Sequence, residues 1–444
     1  MVILFSILSF LIFVFIKDWK KILSFFIIFF PFFGFLINTI KPYINNEIIS
    51  IFYDFIFVVP IYIKLIRSKL SHGLLGMMEN NLRFSYIFLI LVVIMQFLNP
   101  YNDLTNLAKL VGVKVWLFYF LFIAVGYYYL ESENHLINIC KKISYVAFIP
   151  CVIAVLQYLL SKIIGYEETM NLFFSPEVAK NATQGYAEFS ISTFQIRRIP
   201  STFSFITQFA NYLIFIILPV MTALHYSKTF KEKMIFKSLV VLIFFTATIS
   251  GARGMWIYLP LFFIIYWIIQ KRFYKVLILI ASATTIISVI NIYNFFNFSD
   301  FLYYIFYLFE HYATDTHPNL FRFFVENFFG KGVGTATSQV INITGKSVFI
   351  ESESFLFKII AELGVLGVIS LILIYTYTIN FFLKCLNYKK QNNLNIFFSY
   401  LLAYYILIVI ISLKGPLNHV FPADFLIFFF IGLSLKINML RKNK

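Results

Sequence analysis

The sequence predicts an all-α, polytopic membrane protein. Of its 444 residues 61% are hydrophobic and only 13% are charged. The apolar residues fall in runs of about 16 to 24, the length that ~30 Å of hydrocarbon demands at 1.5 Å of rise per residue. Most of the 36 Lys and Arg sit in alternate connecting loops, which the positive-inside rule assigns to the cytoplasm.

Residues 1–16 read as a first span and not as a cleavable signal, because no basic stretch precedes the run and no small-residue site follows it. Further spans fall near 22–40, 47–66, 82–98, 109–130, 143–164, 201–224, 235–250, 254–270 and 273–292, and then near 354–382, 394–413 and 420–437. The total is thirteen, or twelve if residues 1–40 form a single span or a re-entrant pair. The chain 1–444 reads as one integral membrane domain with a cytoplasmic C-terminus. Its basic loops are 17–21, 64–83, 131–142, 225–237, 270–275, 383–393 and 436–444. The net charge of +16 therefore faces an anionic leaflet, and nucleic acid is not needed to explain it.

Two outer loops carry the polar sequence, a smaller one at 165–200 and a large one at 293–353. The second is too long for a plain connector, and length of that kind marks function. Within it DFLYYIFYLFEHY (300–312) and NLFRFFVENFF (319–329) read as short interfacial helices. The three cysteines predict no disulfide, and no Cys/His spacing resembles a metal site. There is no P-loop, dinucleotide fingerprint or serine elbow. Any reaction must draw its energy from the substrate.

The charges on the outer side form the candidate site. In TISGARGMW, Arg253 lies between Gly251 and Gly254 at the outer interface, beside the unpaired N–H groups of the helix that follows. That is an anion-binding composition, although an arginine snorkelling to headgroups fits the position equally well. In QIRRIPSTFSFITQFANYL, Arg197 and Arg198 run against the charge bias just before a helix entered through Pro200, with Ser201 as its cap. Arg322 stands four residues before Glu326, the spacing of an ordinary surface pair. FGKGVGT (329–335) reads as a turn. In ESESFLFKIIAELGVLG, Glu353 tops the stripe of small residues formed by Gly364 and Gly367, so it faces protein and not lipid. Lys358 and Glu362 are spaced to neutralise each other within the span. An inward carboxylate near arginines on one face suits a base meeting a phosphorylated substrate.

These residues reach a family. ESFLFKIIAELGVLG resembles the H-N-x-Y-L-Q-x-L-x-E-x-G-x-x-G segment of the O-antigen ligase and Wzy-type O-antigen polymerase superfamily, with Glu353 at the histidine and Leu356, Ala361, Glu362, Gly364 and Gly367 continuing the match. TISGARGMW is similar to the family's S-R-G segment, with Arg253 at the arginine. RIPSTFSFITQFANYL is similar to its R-x-x-G-T-F segment, with Arg198 at the arginine and Ser201 where the family has glycine. The likeness covers about residues 195–370.

The resemblance implies transfer of a polyprenyl-diphosphate-linked oligosaccharide at the outer face of the cytoplasmic membrane, with no metal and no other cofactor. Arg253 and Arg198 would hold the diphosphate, Arg197 and Arg322 would contribute to binding, and Glu353 would be the base. Glutamate in place of histidine points to polymerisation of repeat units for a surface polysaccharide such as O-antigen or capsule. The partners implied are the lipid-linked glycan, the lipid bilayer, and a chain-length regulator and flippase of the same pathway. The alternatives are ligase-type transfer to a lipid or protein acceptor, and a lipid-linked oligosaccharide flippase.

Overall fold

The computed structural model describes residues 7, 11, 14–16, 18–40, 54–69, 76–174, 188–191, 194–203, 205–252, 254–279, 320–337, 340, 355–387, 394–412 and 423–442. Helices dominate them. Seven, including Asn80–Phe97, Glu133–Ile163, Ile206–Tyr226 and Phe355–Leu386, are long and apolar enough to cross a membrane. The chain is a polytopic α-helical membrane protein.

The first described helix, α1 (Trp19–Phe29), begins at Asp18, whose carboxylate accepts from the Lys20 N–H. Pro31 then interrupts the hydrogen-bond ladder, and a 3₁₀ turn, Phe30–Phe32, leads into α2 (Phe33–Ile40). A π-turn at Asp54–Val58 opens α3 (Val59–Lys69). Then come α4 (Asn80–Phe97), and α5 (Asn106–Leu117), which is capped by Thr105. A 3₁₀ segment, Phe118–Leu121, separates α5 from α6 (Phe122–Tyr129). Ser132 caps the long α7 (Glu133–Ile163).

The 165–200 loop is not plain coil. It begins with the short α8 (Tyr166–Phe173) and ends in an antiparallel hairpin of β1 (Glu188–Ile191) and β2 (Phe194–Arg197), in which Glu188 pairs with Arg197. The spans α9 (Ile206–Tyr226), α10 (Phe230–Ile249) and α11 (Met255–Ile269) follow. From the large loop, α12 (Leu320–Glu326) falls where the second interfacial helix was expected. Last come α13 (Phe355–Leu386), α14 (Asn395–Ser412) and α15 (Ala423–Lys442). The expected helix at 300–312 and most of the expected spans 1–16 and 273–292 lie outside the described residues.

Helices in lipid associate by close packing, because lipid tails are as apolar as leucine. Gly126 on α6 and Gly432 on α15 illustrate this. Each lies against the partner helix's backbone, at Phe429 and Ile123 respectively, where a Cβ would have no room. A continuous apolar core joins α1 and α2 through α9, α14 and α15, including the wholly buried Phe26, Tyr212, Phe215 and Tyr404. The three cysteines are free and buried.

Candidate functional site

Two of the segments singled out in the sequence meet on one side of the bundle. The strand that ends at Arg197 runs directly into Arg198-Ile199-Pro200-Ser201-Thr202-Phe203, an irregular stretch in which every residue but the half-buried Arg198 is buried. Buried backbone needs partners, and here they come from several elements. Ile199 N–H donates to Ser250 O at 3.2 Å, and Tyr166 Oη donates to Arg198 O at 2.6 Å. Thr202 Oγ1 donates to Pro31 O at 2.6 Å, and its carbonyl accepts from Phe35 N–H at 2.9 Å. The stretch thus fills the gap that the proline break between α1 and α2 leaves open.

Ser201 does not cap a helix as expected. The helix starts later, at Ile206 after Phe205, and Ser201 instead sits at φ 55°. That left-handed backbone favours glycine. Two bonds hold it there: Ser201 Oγ donates to Pro150 O at 2.6 Å, and Gln157 Nε2 donates to Ser201 O at 3.0 Å.

The Ser250 contact brings in the other arginine segment. Gly251, at φ 67°, turns the chain out of α10, and its Cα faces Arg198: a Cβ at Gly251 would stand 2.9 Å from Arg198 Cγ. Arg198 is therefore packed against the residue two positions before Arg253. Arg253 itself lies outside the described residues, between Ala252 and the Gly254 that opens α11. Glu353 also lies outside them. Arg197 is placed by its backbone in the hairpin. Arg322 is exposed, and its Nε is 2.8 Å from Glu326 Oε1, the ordinary surface pair.

A second arrangement was not foreseen. α13 is broken at Gly364, where φ is 66° and ψ −159°. Such a break deep in a span leaves backbone groups without helical partners, which is tolerated only where protein supplies others. FGKGVGT supplies them. Lys331 N–H donates to Ala361 O at 2.7 Å and Gly332 N–H to Glu362 O at 3.2 Å, while Val365 N–H donates to Phe328 O at 2.8 Å. Gly330, Gly332 and Gly334 all have positive φ, so the loop coils tightly enough to enter the break. Three amides at and just beyond the C-terminal end of α4 hold it from behind. Gln96 Nε2 donates to Phe329 O at 2.5 Å, Asn99 Nδ2 to Gly330 O at 3.3 Å and Asn102 Nδ2 to Val333 O at 3.1 Å.

Glu362 lies at the centre of this assembly, fully buried. Its carboxylate accepts from Trp116 Nε1 at 2.7 Å, Thr337 Oγ1 at 2.8 Å and Ala336 N–H at 3.0 Å. Lys358 makes no direct bond to this carboxylate: its Nζ rests over the Trp116 ring, 5.8 Å from the centroid, and stays within electrostatic reach of Glu362, as the spacing led one to expect.

A third polar cluster lies among α3, α5 and α15. Asp54, almost fully buried, pairs with Lys114 and accepts from Tyr119 Oη at 2.6 Å. Asp424 adds a second buried carboxylate within electrostatic reach of both. Among the described residues no group of three His, Cys, Asp or Glu side chains could hold a metal ion.

The fold and these polar assemblies define a multi-pass membrane protein with irregular, hydrogen-bonded backbone docked among its helices. No protein-family model matches the chain, and no curated protein matches it.

Proposed function

We propose that the protein is a glycosyltransferase of the cytoplasmic membrane, with its C-terminus in the cytoplasm, that polymerises polyprenyl-diphosphate-linked oligosaccharide repeat units at the outer face. One observation carries the reading. The stretch around Arg198 docks on Ser250 and Gly251, so two segments that resemble the family's arginine motifs, distant in sequence, share one locus. The backbone of Ser201 adds support, because it adopts a glycine-type conformation at the position where the family has glycine.

The chemistry then divides simply. A guanidinium offers planar, paired N–H donors that match phosphate oxygens, and such contacts strengthen as charge develops on a leaving diphosphate. Arg198 and Arg253 take this role, with Arg197 and Arg322 contributing to donor or acceptor binding. Glu353 accepts the proton from the attacking sugar hydroxyl. The glycosidic bond to the diphosphate breaks as the new one forms, so neither a metal nor a nucleotide is required.

The test uses purified protein, diphosphate-linked repeat units and, in a second reaction, a core-lipid acceptor. Ladders of lengthening product without core lipid support polymerisation, and product only with it supports ligase-type transfer. Arg253→Lys keeps the charge but loses the paired contact, and should cost ~2–4 kcal/mol of transition-state stabilisation, roughly 30- to 1000-fold in rate. Normal ladders from Arg253→Lys or from Glu353→Gln would overturn the assignment. Labelling of an introduced Ser338→Cys by an impermeant reagent in intact spheroplasts tests the orientation.

Lipid-linked glycan translocation is the second reading. The Asp54–Lys114–Asp424 cluster favours it, because charges inside a span often mark a transport pathway. Movement of labelled donor across liposomes without polymer formation would select it.

A further inference from the structure

The last turn of α15 buries a charge. Arg441 is only 2% exposed there, although Met439 and Lys442 beside it are exposed, so its guanidinium lies just beneath the surface. That group sits over Phe398, 4.8 Å from the ring centroid, and its Nη1 donates to Cys385 O at 3.4 Å. Nε and Nη2 have no acceptor among the described residues. These two nitrogens form one edge of the planar group, the edge that grips two oxygens of a single phosphate or carboxylate. Arginine cannot shed its proton to escape burial, so such an edge costs free energy until an oxyanion fills it.

The surroundings favour an anion from outside the helices. Phe398 belongs to the first turn of α14, its N–H bonded to Leu394 O at 3.2 Å, so the positive end of that helix lies beside the guanidinium. Tyr226, which closes α9, is within electrostatic reach of Arg441 and brings a hydroxyl. Lys384 and Lys442 stand at the same end of the bundle, where both pair with Glu79. Glu133, in the first turn of α7, is also within electrostatic reach of Arg441, but no bond from it occupies the open edge. Arg441, Lys384, Lys442 and the start of α14 meet two acids, Glu79 and Glu133, so positive charge stays in excess. The loop charge bias assigns this end to the cytoplasm, at the level of lipid phosphates.

We propose that Arg441 anchors a phosphate-binding site at this end of the bundle, its Nε–Nη2 edge holding two oxygens of one phosphate beside the start of α14. The headgroup of an anionic phospholipid and free inorganic phosphate share that chemistry. Arg198 precedes the start of α9 whereas Tyr226 closes it, so the site lies a full span from the proposed transfer centre. Each can fail without the other.

The test uses the full-length protein in neutral detergent at constant ionic strength, with thermal unfolding and native mass spectrometry as readouts. Inorganic phosphate is compared with chloride, and phosphatidylglycerol with phosphatidylcholine. The native protein should gain several degrees in Tm from phosphate or from phosphatidylglycerol, and the lipid, where it is the source, should remain bound in the spectrum. Arg441→Lys keeps the charge but loses the paired contact, and should weaken binding by about tenfold or more. Lys231→Gln, which removes an exposed lysine at the same end of the bundle, should leave affinity within about twofold. Stabilisation by phosphatidylglycerol alone identifies a lipid headgroup as occupant, and stabilisation by inorganic phosphate alone identifies a free anion. Failure of both to stabilise the native protein overturns the site, whether or not the variants fold. Undiminished binding to Arg441→Lys, or an equal loss in Lys231→Gln, overturns the role of the Nε–Nη2 edge.

Discussion

Replacement of Gly364 by alanine should be among the most damaging single-methyl changes in this protein. The new Cβ would lie 2.5 Å from Phe328 O and 2.6 Å from Gly330 N, both backbone atoms of the docked loop. It would also sit at φ 66° and ψ −159°, a region almost closed to residues with a Cβ, where strain costs ~1–3 kcal/mol. The helix cannot straighten to escape, because the loop fills the break. The loop must therefore move, which weakens the bonds from Lys331 and Gly332 to the Ala361 and Glu362 carbonyls and from Val365 to Phe328, each worth ~1 kcal/mol. Strain and lost bonds together come to about 3–6 kcal/mol, a fall in Tm on the order of 10 °C. Thermal unfolding in detergent measures this directly. Trypsin provides a local readout, since the Lys331 peptide is pinned in the native state and becomes accessible once the loop lifts. Ile372→Ala, on the exposed face of the same helix, is the control. Native Tm together with native trypsin resistance in Gly364→Ala would refute the docking of the loop in the break.

Trp116→Phe keeps an aromatic ring but removes one donor from the buried Glu362 carboxylate, so it should destabilise by ~2 kcal/mol in the same unfolding assay. Asp54→Asn leaves the Lys114 charge in the interior without its counter-charge and should cost ~3–5 kcal/mol, whereas the double variant Asp54→Asn/Lys114→Met should recover much of the loss. The exposed Glu131, between α6 and α7, is held below the usual carboxylate range first by its hydrogen bond from Lys20 and then by that residue's charge. The folded-state pKa is depressed, so this contribution is complete above the ordinary glutamate range and is lost as pH falls through the folded value. Glu131→Gln should lower Tm slightly near neutrality, as befits an exposed pair, and the difference from the native protein should vanish as pH falls through the folded value.

Hydropathy made most of the helices legible. The expected 82–98 and 394–413 appear as Asn80–Phe97 and Asn395–Ser412, because runs of this length and polarity have one stable solution in lipid. The interruptions were hidden for the same reason. An all-apolar segment carries no periodic signal that would report a non-helical residue inside it, so Gly364 read as part of a packing stripe when it is a break. Ser201 misled differently: serine before an apolar run is the usual cap signal, and only the bonds from Gln157 and to Pro150 show that it serves a buried turn. Within the site, the sequence displayed the arginine segments and FGKGVGT but not what they touch. Gln96, Asn99 and Asn102 had a legible signal, three amides at three-residue spacing where a span ends. Their partners, Phe329, Gly330 and Val333, are more than 200 positions away, and no local rule reaches that far.

The docked glycine loop also constrains how the chain can be put into a membrane. Residues 328–332 leave the ribosome before α13, yet their open N–H and C=O groups are complemented by Ala361, Glu362 and Val365 of that later helix. Neither partner can enter hydrocarbon alone without carrying bare amides into it. The two must be threaded in as a pair, as a hairpin whose limbs satisfy each other on the way. Shortening the connection between them, at 341–354, would then arrest insertion before it disturbed the finished structure.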